Sequence, residues 1–285
     1  MEYNDLTFKK PLQSEDYYEN SKYVTETICN IMLDAINNNK NKIIINTNLK
    51  KGLPMENINK IAGPFVESWA QEIFNDILED ADNIYKLVGV QECKRLSMSD
   101  IILQFKKEKK TSRIIANVDV KATAEDIPDS GKSPNITSFE RIRNAYIDDP
   151  DYLFIILSLK HKVYSTKDNI TKLMNGIMEI VKYNVYDLKL ISENDISYNP
   201  ALGTGQIQIK DIHYVDIIEE RTAWDFCEIL DKKFISSKKG FSEWLRLATE
   251  NDWIKDEDKI KEFVNSNNLL KSKEWKLLFK RKEWI

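Results

Sequence analysis

The stretch Ile114-Ile115-Ala116-Asn117-Val118-Asp119-Val120-Lys121-Ala122-Thr123 decides how this chain is read. Its β-branched and apolar residues predict a strand, on which residues i and i+2 face the same side, so Asp119 and Lys121 leave a largely apolar segment together. Each ion costs several kcal/mol to desolvate even after relaxation, which is a poor investment for stability alone. A bound cation or a phosphate would offset that cost. Upstream, Ser99-Asp100 opens a second β-rich run to Phe105. The polar stretch Lys106-Lys107-Glu108-Lys109-Lys110 between the two runs predicts a turn that pairs them antiparallel and brings Asp100 near Asp119.

Two carboxylates with room for water suit a hard cation such as Mg²⁺, which keeps several waters and takes further oxygens from a phosphate. In metal-assisted phosphodiester hydrolysis the ion polarises a phosphoryl oxygen and acidifies the attacking water, and Lys121 would stabilise the charge that develops. The plainer reading is an edge-strand ion pair, since Asp-x-Lys recurs by chance in any chain this charged.

Composition bounds the alternatives. The chain has 285 residues, 42% hydrophobic and 31% charged, enough for one large domain or a domain with an appendage. No run of about 18 apolar residues is present and the start is acidic and aromatic, so a membrane role is not expected and a cytoplasmic protein is. Cys29, Cys93 and Cys227 are too few and too scattered for a disulfide framework or thiolate zinc site, and are expected to be reduced core residues. Two histidines, His161 and His213, supply little for histidine-based chemistry. A net charge of −4 counts against a nucleic-acid binder, although basic residues cluster at 40–51, 106–113, 232–239 and 271–282.

Along the chain, helices are expected from Tyr23 to Asn38 and from Gly63-Pro64 onward, the second with an apolar stripe of Phe65, Val66, Trp69, Ala70, Ile73 and Ile77 and with Glu67 at its edge. A polar loop from Glu125 to Ser133, a short helix from Pro134 to about Tyr146, and strands at Tyr152 to Leu159, within Ile177 to Leu190 and at Gln206 to Ile217 follow. Helices are expected again from Thr222, giving a mixed α/β architecture. Ser130-Gly131-Lys132-Ser133 looks like the end of a phosphate-binding P-loop, but Asp126 stands where its leading glycine belongs and would repel nucleotide phosphates.

Ser99-Asp100 with Asp119-Val120-Lys121 resembles the motif of PD-(D/E)xK nucleases. The run on through Ser133-Pro134-Asn135-Ile136-Thr137-Ser138, Ala62-Gly63-Pro64-Phe65 with Glu67, Gln206-Ile207-Gln208-Ile209 and Arg221-Thr222-Ala223-Trp224 are similar to type II restriction endonucleases of the EcoRV-like branch, the HincII group in particular. The likeness is scattered over residues 60 to 235.

The resemblance implies a restriction-endonuclease-like core over 1–235, with a central mixed β-sheet flanked by helices, and a helical C-terminal extension, 236–285, packed on it. It implies Mg²⁺-dependent hydrolysis of both strands of duplex DNA at a short, nearly palindromic site by a homodimer, leaving blunt ends with 5′-phosphates. Mn²⁺ would substitute, Ca²⁺ would support binding without cleavage, and a cognate DNA methyltransferase is expected in the same host. By position, Asp100 and Asp119 would be metal ligands and Lys121 the catalytic lysine, with Glu67 a fourth member of the site. Lys132, Ser133 and Asn135, and the loop residues Asn199, Ala201, Gly203, Thr204 and Gln206, would contact DNA. Two departures stand out: Ser99 replaces the motif's proline, and Lys132 replaces a glutamine near the DNA centre. The rival readings are a repair or recombination nuclease of the same fold without sequence specificity, and a catalytically silent DNA-binding protein.

Overall fold

A computed structural model describes residues 1–94, 96–108, 112–217 and 221–285. The first long helix is α1 (Tyr17–Asn37), beginning six residues before the Tyr23 start expected from the sequence. Its early residues look polar in sequence, yet Tyr17 and Ser21 are buried by bonds to Asp187, which no local pattern reveals. There follow β1 (Lys42–Ile45), α2 (Met55–Lys60), α3 (Ala62–Glu79), β2 (Leu87–Glu92), β3 (Ile101–Phe105) and β4 (Ile114–Ala124). Pro64 sits in the first turn of α3, where its missing N–H costs nothing. The stripe of α3 is buried at Val66, Trp69, Ala70 and Ile73, whereas Phe65 is left exposed.

The order β1-β7-β6-β4-β3-β2 defines a six-stranded sheet that includes β6 (Leu153–Lys167) and β7 (Met174–Asp187). β4 and β6 are parallel and the other neighbours antiparallel. A parallel pair needs a long crossover, here supplied by the chain between Glu125 and Tyr152. That crossover contains β5 (Asn135–Ser138) and α4 (Phe139–Asp148). The helix expected from Pro134 therefore starts later, because residues 135–138 are drawn into a second sheet and Ser138 caps α4 by accepting from Arg141 N.

The second sheet has the order β5-β9-β8, with β8 (Ile196–Asn199) and β9 (Gln206–Ile209). The strand expected to reach Ile217 ends at Ile209, since Asp211 accepts from His213 N and turns the chain. The helices α5 (Ala223–Ile235), α6 (Gly240–Glu250), α7 (Glu257–Ser266) and α8 (Lys273–Arg281) close the fold. Thr222 and Asp225 form a capping box at the start of α5.

The two faces of the large sheet carry different cores. Ala116, Val118 and Val120 of β4 face α1 and α3, together with Leu153, Ile155 and Leu157 of β6. Phe154 and Ile156 join the opposite core, built from α4, the small sheet and the C-terminal helices. Alternation on β4 therefore directs Asn117, Asp119, Lys121 and Thr123 to the side of the small sheet. The N-terminal segment belongs to that second core as well, through Leu6, Phe8 and an antiparallel bridge from Phe8 to Ile254.

Candidate active site

β3 and β4 pair antiparallel with Ile101 opposite Val118, so the next step outward sets Asp100 opposite Asp119. Backbone holds Asp100 there. Its N–H donates to Val118 O at 2.9 Å, and its Oδ2 accepts from Val120 N at 2.7 Å. The segment expected from the sequence to turn between the two strands includes residues 109 and 110, which lie outside the described residues.

Asp119 is 4% exposed, and the Lys121 ammonium two residues on donates to its Oδ1 at 2.8 Å. The same nitrogen lies 2.7 Å from Oδ2 but off hydrogen-bond geometry, so Oδ2 is a buried carboxylate oxygen without a hydrogen-bond partner. Burial pushes the Asp119 carboxyl up to about 7; Lys121 pulls it down, and Asp100 and Glu67 push it further up. Glu67 of α3 belongs to the same electrostatic group: burial raises its carboxyl first, the Asp100 charge raises it further, and Lys121 opposes both. The four residues that the sequence singles out for chemistry are thus brought into one group.

Oxygen donors of this kind fit a hard cation, and the buried Asp119 Oδ2, ion-paired with Lys121 but without a hydrogen bond, keeps acceptor capacity that a cation would use. Among the described residues no set of three or more His, Cys, Asp or Glu side chains could enclose a metal ion. An ion at Asp100 and Asp119 would therefore complete its coordination from water and phosphate, as Mg²⁺ does readily.

The residues expected to contact DNA lie on the small sheet and its loops. Asn135, on β5, is exposed, and its Oδ1 accepts from Gln208 Nε2 at 3.0 Å. The same Gln208 amide donates to Ser133 O at 2.9 Å. Ser133 has a left-handed backbone, φ +49°, and its N–H donates to Lys210 O, while Lys132 pairs with Asp129 at 3.3 Å. The β8–β9 hairpin pairs Asn199 with Gln206 and projects the residues between them as a loop. Ala201 and Gly203 are exposed on it, and Thr204 and Gln206 half-buried. The Asn199 side chain is engaged within the loop, accepting from Ala201 N at 3.0 Å. Gln208 was not singled out from the sequence, although period-2 spacing from Gln206 puts both amides on the face opposite the buried Ile207 and Ile209.

The other motifs resolve without chemistry. The Gly131 loop leads into a strand rather than a helix, so it has no helix N-terminus to cradle a phosphate. His161 is buried with its Nε2 3.1 Å from Asn59 Oδ1, and His213 lies 3.5 Å from Ser158 Oγ. Burial lowers the pKa of both. Cys227 is fully buried, but Cys29 and Cys93 are only half-buried, so the expectation of three core thiols holds for one. No described helix is long and apolar enough to cross a membrane.

The family model for the type II restriction endonuclease HpaI matches residues 4–252. The chain belongs to that family. It is also 56% identical over 257 residues to the type II restriction enzyme HpaI of Haemophilus parainfluenzae, a match that covers 90% of this chain and all of that protein. The chain is accordingly a type II restriction endonuclease, a hydrolase that cuts DNA at specific sites.

Proposed function

We propose that Asp100, Asp119 and Lys121 cleave the phosphodiester with Mg²⁺, and that two copies of the chain cut both strands at one nearly palindromic site to leave blunt ends with 5′-phosphates. The observation that carries the reading is the register that sets Asp100 opposite Asp119, with Lys121 bonded to the buried carboxylate. Asp100 and Asp119 would hold the cation, which when bound supplies charge for the phosphoryl oxygens and acidity for water. Lys121, which bonds to Asp119 in this structure, would donate to a phosphate oxygen as negative charge grows there. Glu67, at the edge of the group, would orient water or Lys121 from α3. Mn²⁺ should replace Mg²⁺, and Ca²⁺ should permit binding without cleavage.

Sequence would be read by Asn135 and the 199–206 loop, with Lys132 and Ser133 close to the duplex. An amide can make paired hydrogen bonds to a purine edge, worth about 1–3 kcal/mol of discrimination. A symmetric homodimer follows from one site per chain and two strands to cut, and protein symmetry then matches site symmetry. Restriction enzymes commonly work beside a methyltransferase that protects the host, so a cognate one is expected.

The deciding experiment is digestion of a sequenced plasmid with and without Mg²⁺, followed by sequencing of the ends. A fixed fragment pattern that requires the metal and disappears in Asp119→Ala and Asp100→Ala is expected. Undiminished cutting by either variant would overturn the site.

A further inference from the structure

The loop between β8 and β9 is held from two sides. On its inner side the Tyr198 hydroxyl donates to Thr204 O at 2.7 Å, and the Tyr198 ring packs on Phe234, 5.3 Å between centroids. Gly205 makes room for that ring. Its φ is +90°, and an added Cβ would lie 2.1 Å from the Tyr198 hydroxyl oxygen. The Gly205 carbonyl accepts from Phe139 N at 3.0 Å, which ties the loop's end to the start of α4.

The outer tie comes from the C-terminal helices. Lys239, in the turn between α5 and α6, donates from Nζ to Gly203 O at 2.7 Å. Lys239 is itself placed by a local turn: its N–H donates to Ser237 Oγ at 3.1 Å, and Ser237 Oγ donates to Phe234 O at 2.7 Å. Phe234 also packs on Phe139, 4.7 Å between centroids, so the inner and outer ties meet in one aromatic cluster. Gly203 is exposed and meets no neighbour within 4 Å of an added Cβ. The tip closes on itself through Gly205 N to Leu202 O at 2.7 Å and Ala201 N to Asn199 Oδ1 at 3.0 Å, and the charge-assisted bond from Lys239 ties it to the C-terminal helices.

From this geometry we infer that Lys239 is a positioning residue for sequence discrimination: it holds the 200–205 loop in the conformation offered to the bases, so that less ordering remains to be done on binding. The inference rests on the reading of this loop as a base-contacting element. A loop ordered only in the complex loses affinity for the ordering, and the loss falls on the cognate complex, where the loop must be in register. The competing role for a lysine in a nuclease is a phosphate contact, which serves all sequences alike.

The test compares the full-length enzyme with Lys239→Ala. Hydrogen exchange of the 200–206 segment, cleavage of a cognate duplex and of one altered by a single base pair, and the salt dependence of binding to random duplex are measured together. Expected for Lys239→Ala are faster exchange confined to that segment, a fall of about tenfold in cognate kcat/KM with a smaller fall on the altered duplex, and an unchanged salt slope. Unchanged exchange would overturn the holding role. Equal losses on all duplexes with a salt slope reduced by about one would make Lys239 a phosphate contact instead and overturn the inference. Faster exchange with full discrimination would instead refute the base-contacting reading of the loop, and the inference with it.

Discussion

Asp119 carries both the chemistry proposed for this chain and a measurable cost. Its carboxyl, pushed up to about 7 by burial, holds its proton in the metal-free native state over a range where the unfolded chain has lost it. The stabilising contribution of that proton is complete below the ordinary carboxylate pKa near 4, and is lost as pH rises through about 7. Asp119→Asn removes the dependence. In metal-free buffer the variant should match the wild type near pH 4 and exceed it by about 1–3 kcal/mol at pH 8, while Mg²⁺-dependent cleavage falls by about a thousandfold or more. Urea midpoints at the two pH values check the first claim, and single-turnover cleavage the second. An unchanged pH slope would show that the carboxylate is ionised throughout. A second prediction at this scale concerns Asn135, whose amide is oriented by Gln208. Asn135→Ala should cut cognate cleavage by about 10- to 100-fold and leave random-duplex binding within about twofold, as measured by competition. Equal losses would reduce Asn135 to a backbone or phosphate contact.

At the scale of elements, α4 and α5 are joined by a buried ion pair. Arg143 and Asp231 are both fully buried, 3.1 Å apart, and Asp231 also accepts from the Tyr3 hydroxyl at 2.9 Å. The guanidinium lies 4.8 Å from the ring centre of Trp253 and 5.4 Å from that of Trp224. Breaking such a pair leaves a charge uncompensated, so Arg143→Met should destabilise the protein by about 3–5 kcal/mol, and adding Asp231→Leu should restore much of the loss. Chemical denaturation of both variants checks this; a double variant as weak as the single would assign the loss to packing around the tryptophans. Gly205→Ala belongs here too. The residue has φ +90° and its Cβ would collide with the Tyr198 ring, so the hairpin loop must shift. Cognate kcat/KM should fall by about tenfold or more while the fold stays intact by circular dichroism. Wild-type discrimination in Gly205→Ala would remove the loop from base readout.

For the whole molecule, the proposal is two-fold symmetry. A homodimer on DNA should sediment as two chains per duplex, and end sequencing should give flush termini with 5′-phosphates. One chain per duplex would defeat the first claim and staggered ends the second. The Asp100–Asp119 pair and the β8–β9 loop lie on different sheets, linked by the crossover from β4 through β5 to β6. Its tight positions are Gly131, whose added Cβ would lie 2.8 Å from His213 Nε2, and Ser133, which bonds to Lys210 O. Through them the loop after β4 is packed against the end of β9.

The strand that carries Asp119 and Lys121 was legible in the sequence because its evidence is local. A β-rich run with charges at i and i+2 puts Asp119 and Lys121 on one face whatever surrounds them, and the polar segment before it lets the Asp100 run pair antiparallel with it, as the register shows. The first turns of α1, the end of the strand after Gln206 and the strand at Asn135 were not legible, because each depends on a partner distant in sequence. Tyr17 and Ser21 are helical and buried against Asp187, Asn135 to Ser138 pair with β9, and Asp211 turns the chain by bonding His213. The same reason hid Gln208 and Lys239, which become neighbours of Asn135 and Gly203 only when the small sheet and the C-terminal helices are assembled. The sequence by itself determined which strand carries the charges and which way they point. Tertiary structure decided how deeply Asp119 is buried, that Glu67 joins it from another layer, and which side chains hold the loops, since burial and long-range hydrogen bonds arise from packing that no window of the sequence contains.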